Sequence, residues 1–168
     1  METIAIYWEK QVKVYGIILK SGFTLVRFQR GVIDSFPWHT LLTYFESKSV
    51  KFELIISALD HNNEIILTLV LAPDQLLTIQ NTLVEIQKNG EPSFTLSYKK
   101  IDLIYLHGPH FQERFGILSK AIEPLSSHHI KTTLTGCAGN SMYIVVPEGQ
   151  GPKSNEILHN TFHIPKTA

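Results

Sequence analysis

The chain has 168 residues, of which 43% are hydrophobic and 18% charged, a globular balance that excludes extensive disorder. Fifteen basic residues against fifteen acidic ones cancel to a formal charge of zero, so the basic surplus that drives binding to nucleic-acid backbones is missing. The most apolar stretches, such as Ile65 to Ala72, fall far short of the roughly 20 residues that span a bilayer. Cys137 is the single cysteine and has no partner for an internal disulfide, and no basic start leads into an apolar stretch and cleavage site. A cytoplasmic protein is expected.

Thr3 to Trp8 (TIAIYW) reads as extended. Val12, Val14 and Ile18 precede Lys20-Ser21-Gly22, and Phe23, Leu25 and Arg27 follow it, which predicts an antiparallel hairpin of about 12–19 and 23–29. Pro37 suits the first turn of a helix, and Trp38, Leu41, Leu42 and Phe45 recur on one face to about Lys48. Two strands are expected at Val50 to Ala58 and Glu64 to Leu71, joined by the turn-forming Asp60-His61-Asn62-Asn63. Pro73-Asp74 opens a helix with Leu76, Ile79, Leu83 and Ile86 on one face, Asn89-Gly90 ends it, and Ser93 to Tyr98 forms a strand.

The same order then returns. A strand is predicted at Ile101 to Leu106, then a helix with Phe111, Phe115, Leu118, Ile122 and Leu125 on one face. Strands follow at His129 to Thr135 and Met142 to Val146, interrupted by Gly136-Cys137-Ala138-Gly139-Asn140, and a short helix covers about Ser154 to Phe162. Val50 to Leu54 and Ile130 to Leu134 occupy the same place in the two halves, 80 residues apart, which predicts a structural duplication. Strand, helix, strand, strand, helix, strand, taken twice, predicts an α+β fold of two ferredoxin-like (βαββαβ) units. Open sheet edges make an oligomer the expected state.

Several segments resemble the C-terminal tandem ACT-domain regulatory region of aspartate kinases. They are Phe115 to Leu125 continuing to His129-Ile130-Lys131, Thr135 to Pro147, and Ile157 to Phe162 for the second ACT unit, with Val14 to Phe28 and Val50 to Ser57 for the first. The resemblance implies a first ACT unit at 22–98 and a second made of 11–19 plus 101–164. Their sheets would interleave through a donated N-terminal strand, and the role of 1–10 stays open. It also implies that the kinase domain is absent from this chain. Gly108-Pro109-His110-Phe111 lacks the glycines and lysine of a phosphate loop, so no phosphoryl transfer is expected of these residues.

The same resemblance implies an amino-acid effector, lysine or threonine, bound at an ACT interface of a homodimer. Such a ligand needs backbone N–H groups at a helix N-terminus for its carboxylate and an acid for an ammonium group. Gly31, Ile33, Asp34, Ser35, Phe36 and Trp38 at the helix entry, with Lys51, Phe52 and Glu53 at the next strand, stand at those places. Glu53 falls where the family carries an aspartate. Each residue also has a plainer role: Asp34 and Ser35 as helix caps, Phe36 and Trp38 as core, Glu53 as a solvated strand residue. The bulky Phe36-Pro37-Trp38 entry supports an alternative, a ligand-free assembly subunit of a separately encoded kinase.

No cofactor or metal is expected. His107, His110, His128 and His129 with Cys137 lack zinc-ligand spacing and read as loop and cap residues. His159 reads as a packing residue, and Cys137 as a small hydrophobe rather than a nucleophile.

Overall fold

The computed structural model describes residues 12–29, 38–63, 65–88, 95–109, 111 and 115–165. Thr3 to Trp8 lies outside them. The elements run β1 (Gly16–Gln29), α1 (Trp38–Ser47), β2 (Leu54–Leu59), β3 (Ile65–Leu71), α2 (Pro73–Lys88) and β4 (Thr95–His107). They continue with α3 (Ile117–Ser127), β5 (Leu134–Ala138), β6 (Ser141–Pro147) and α4 (Gly151–Thr161). Hydrogen-bonded neighbours follow the order β2-β3-β1-β4-β6-β5.

Two predicted breaks are absent. The expected hairpin turn at Lys20-Ser21-Gly22 lies inside the single strand β1. Gly22 has φ 78° there, and a Cβ on it would meet nothing within 4 Å. Glycine takes that left-handed conformation without steric cost, so the chain bends and stays paired. Likewise the strands expected at 93–98 and 101–106 are one strand, β4.

The chain divides into two compact units, Gly22–Ile101 and the remainder made of the residues up to Ser21 and from Asp102 on. They are called here the inserted and the terminal unit. Each has the ferredoxin-like plan, and β1 serves both, because its first part is donated to the terminal unit and its second opens the inserted one.

In the inserted unit β3 pairs antiparallel with β1 (Val26 opposite Leu69, Phe28 opposite Leu67) and with β2 (Leu54 opposite Val70). Val26, Phe28, Leu67, Leu69 and Leu71 turn one sheet face toward Leu41 and Phe45 of α1 and Ile79 and Leu83 of α2, forming one buried core. That alternation follows from the two-residue period of a strand meeting the stripe of a helix. Leu42, expected on the buried face, is 41% exposed.

In the terminal unit Ile104 and Leu106 of β4 and Met142, Ile144 and Val146 of β6 pack with Ala121 and Leu125 of α3 and Leu158 of α4. Val12 and Val14 join that core. Val14 N–H donates to the His163 carbonyl (2.9 Å) and His163 N–H to the Val12 carbonyl (3.0 Å), tying the segment before β1 to the residues after α4.

The duplication shows most clearly where each first helix hands over to its strand. Val50 N–H donates to the Phe45 carbonyl (3.0 Å) and Ser49 N–H to that of Glu46 (2.8 Å). Eighty residues later Ile130 N–H donates to the Leu125 carbonyl (2.9 Å) and His129 N–H to that of Ser126 (2.9 Å). Both are Schellman closures, and Ser49 (φ 54°) and His129 (φ 59°) hold the left-handed residue that such closures require. Val50 and Ile130 then fall into their respective cores.

The strands after these closures begin later than predicted, at Leu54 rather than Val50 and at Leu134 rather than His129, since three residues are used in leaving the helix. β5 in turn absorbs Gly136 and Cys137, expected in a loop, and only Gly139-Asn140 turn the hairpin. Tyr143 lies over Gly136, where a Cβ would collide with its ring. α3 starts after Gly116 (φ 75°), which puts Phe115 ahead of the helix and fully exposed, while Phe111 is buried in the preceding turn. α4 starts at Gly151, three residues before the prediction.

Candidate functional site

The residues singled out for ligand contact fall in the inserted unit. Gly31, Ile33, Asp34, Ser35 and Phe36 lie outside the described residues, as does the side chain of Trp38, whose backbone opens α1. Lys51, Phe52 and Glu53 form the short connection between the Val50 closure and β2.

Three different anchors hold that connection. Lys51 N–H donates to the Gln75 side-chain oxygen Oε1 (3.0 Å), and Gln75 Nε2 donates in turn to Asp74 Oδ2 (2.9 Å). The Phe52 ring meets the buried Phe45 ring edge to face, with centroids 5.6 Å apart at 62°, so its ring packs against the inserted core. Glu53 N–H donates to the Val70 carbonyl (2.9 Å), which places its half-buried side chain just ahead of the first paired residue of β2.

Gln75 is the residue that sequence reasoning missed. It sits in the first turn of α2, 24 positions from Lys51, where Pro73-Asp74 reads as nothing more than a helix start. Only the return of α2 to the α1–β2 connection brings it there.

The corresponding place in the terminal unit is built differently. Thr133 N–H donates to the Val145 carbonyl (2.7 Å), matching Glu53, but the sequence there reads Lys131-Thr132-Thr133 and carries no acid. The start of α4 is held from below by Asp102, which is 2% exposed. Its Oδ2 accepts the N–H groups of Gly149 (2.8 Å) and Gly151 (2.9 Å). A negative charge suits those helix-start amides. A Cβ on Gly151 would come within 2.7 Å of Leu19 and 2.8 Å of Asp102, so the close approach needs glycine.

The histidines occupy strand ends and caps. His107 Nδ1 shares a hydrogen bond with Ser141 Oγ (2.8 Å). His128 caps α3, with Nδ1 2.8 Å from the Pro124 carbonyl. His110 lies outside the described residues. His159 is exposed rather than packed, its Nδ1 2.8 Å from the Asn155 carbonyl one turn back. Cys137 is exposed on β5 rather than tucked away, yet partial burial still raises its thiol pKa. Among the described residues no group of three or more His, Cys, Asp or Glu gathers as a metal site, and no helix is long and apolar enough to cross a membrane.

No protein-family model matches the sequence, and no curated protein matches it significantly. Solved structures do match. The regulatory subunit of aspartate kinase from Thermus flavus superposes with a TM-score of 0.76 at 12% identity, over 89% of this chain and 99% of that one. The chain has the fold of the aspartate kinase regulatory region. Aspartate kinase from Synechocystis matches that regulatory fold with a TM-score of 0.78 at 16% identity, over 95% of this chain and 28% of its own. E. coli aspartokinase III, in complex with lysine and aspartate, matches with a TM-score of 0.62 at 16% identity, over 94% of this chain and 35% of its own.

Proposed function

We propose that the chain is a non-catalytic regulatory module whose inserted unit binds a small amino-acid effector of the lysine or threonine type. The observation that carries this is the anchored connection Lys51-Phe52-Glu53. A Schellman closure on one side and the first ladder bond on the other fix the backbone at Glu53, and the terminal unit has Thr133 in its place. An acid at a fixed position pairs with an effector's ammonium group. The α-carboxylate would be met by backbone N–H groups of Gly31 to Phe36 together with that of Lys51. That E. coli aspartokinase III was crystallised with lysine supports the choice of lysine for the first titration.

The effector acts by favouring one arrangement of the assembled chains over another. Dimerisation through the inserted unit is part of the proposal. β2, at one end of the strand order, reads Leu-Ile-Ile-Ser-Ala-Leu with no charge. Ile55 is 44% and Leu59 61% exposed, and an apolar edge strand without a blocking charge is a template for pairing. A saturable thermal shift with lysine or threonine, lost in Glu53→Ala, is expected, and an effector at 100 times its Kd should add about 2.7 kcal/mol. Silence across all twenty amino acids would reject effector binding. Light scattering behind size exclusion tests the dimer, which Ile55→Lys should dissociate.

The same apolar edge favours a second possibility, a ligand-free assembly subunit for a separate kinase. The match to a chain described as a regulatory subunit supports it. In that case a kinase chain would co-elute with this one and no amino acid would change the melting temperature.

A further inference from the structure

Between the closure at Val50 and the first ladder bond at Glu53, the N–H of Lys51 is held by a side chain rather than by the backbone. The acceptor is the Gln75 carboxamide oxygen, at 3.0 Å in a solvent-facing bond. The Gln75 amide nitrogen is steadied by Asp74 (2.9 Å), and its backbone N–H donates to the Ala72 carbonyl (3.1 Å). The second helix of the terminal unit starts with different residues. Where α2 begins Pro73-Asp74-Gln75, α4 begins Gly151-Pro152-Lys153, and neither a proline ring nor a lysine ammonium accepts a hydrogen bond. The bridge lies in the unit in which the effector site is proposed.

An amide oxygen on an exposed backbone N–H occupies the place that a carboxylate oxygen would take, and the charged acceptor makes the stronger bond. We propose that Gln75 is a built-in competitor of the effector. Its carboxamide holds the Lys51 N–H in the empty protein, and the effector's α-carboxylate takes that N–H over on binding. This rests on the effector site proposed above and adds to it a residue that sets the affinity.

Calorimetric titration of the full chain with L-lysine tests it, using wild type, Gln75→Ala and Gln75→Glu. Removing the competitor should tighten binding about twofold, in keeping with the small worth of an exposed hydrogen bond. Gln75→Glu should weaken binding by about tenfold, since a carboxylate already on the Lys51 N–H is the stronger acceptor and repels the incoming one. Circular-dichroism spectra of all three should coincide and each should unfold cooperatively, which separates competition from damage to the fold. If wild type binds and Gln75→Ala binds equally or more weakly, the competitor role is overturned while the effector site stands. If none of the three gives saturable heat, the effector site falls and the competitor with it.

Discussion

The inserted and terminal units leave their first helices by the same hydrogen-bonded closure, yet they secure the start of their second helices in opposite ways. In the terminal unit a buried carboxylate, Asp102, takes the N–H groups of Gly149 and Gly151. In the inserted unit an exposed carboxamide, Gln75, reaches from the helix to the Lys51 N–H. The first arrangement is largely buried and the second faces solvent, as the proposed exchange with an effector requires. The same plan thus tolerates two different solutions at one place in the fold.

The largest effects should come from the shared closure. Phe45 and Leu125 hold equivalent places and are both 0% exposed. Phe45→Ala should cost about 3–5 kcal/mol and Leu125→Ala about 2–5 kcal/mol in urea unfolding. A neutral result at either would break the equivalence. Next, Asp102→Ala should cost about 1–3 kcal/mol by orphaning the buried Gly151 amide and releasing the part-buried one of Gly149, whereas Gln75→Ala should change stability by less than about 0.5 kcal/mol, as an exposed substitution does. Equal costs would remove the contrast between buried and solvent-facing helix starts.

A smaller gain is expected from Ser49→Gly and His129→Gly. Both residues sit at positive φ, and relief of that strain should stabilise each variant by up to about 1 kcal/mol, net of the greater entropy of glycine when unfolded. If one stabilised and the other destabilised, the closures would not be energetic equivalents. The smallest effect concerns Cys137. Its raised thiol pKa leaves less thiolate at pH 8, so it should react with a disulfide reagent more slowly than free cysteine and approach that rate as pH rises. A faster reaction would contradict the burial that raises it.

Element order and the duplication were legible because apolar periodicity and turn residues mark them directly. Strand continuity was not. Gly22 is a turn residue by composition, but in β1 its freedom is spent on a bend within a paired strand. Phe115 fits the periodic face of α3, but the helix begins only after Gly116, so the periodicity extended one turn too far. The late starts of β2 and β5 follow from the Schellman closures, whose left-handed Ser49 and His129 are residue types that do not announce them. At the candidate site, Lys51, Phe52 and Glu53 were visible as a segment, but Gln75 was not, because it arrives through tertiary packing from another helix.

The most direct test of the central claim is an amide chemical-shift titration of the full chain with L-lysine. Saturable shifts at Lys51, Phe52 and Glu53 and at Gln75, with Lys131, Thr132 and Thr133 unmoved, are the expected result. Shifts centred on Lys131 to Thr133, or none that saturate, would contradict an effector site in the inserted unit.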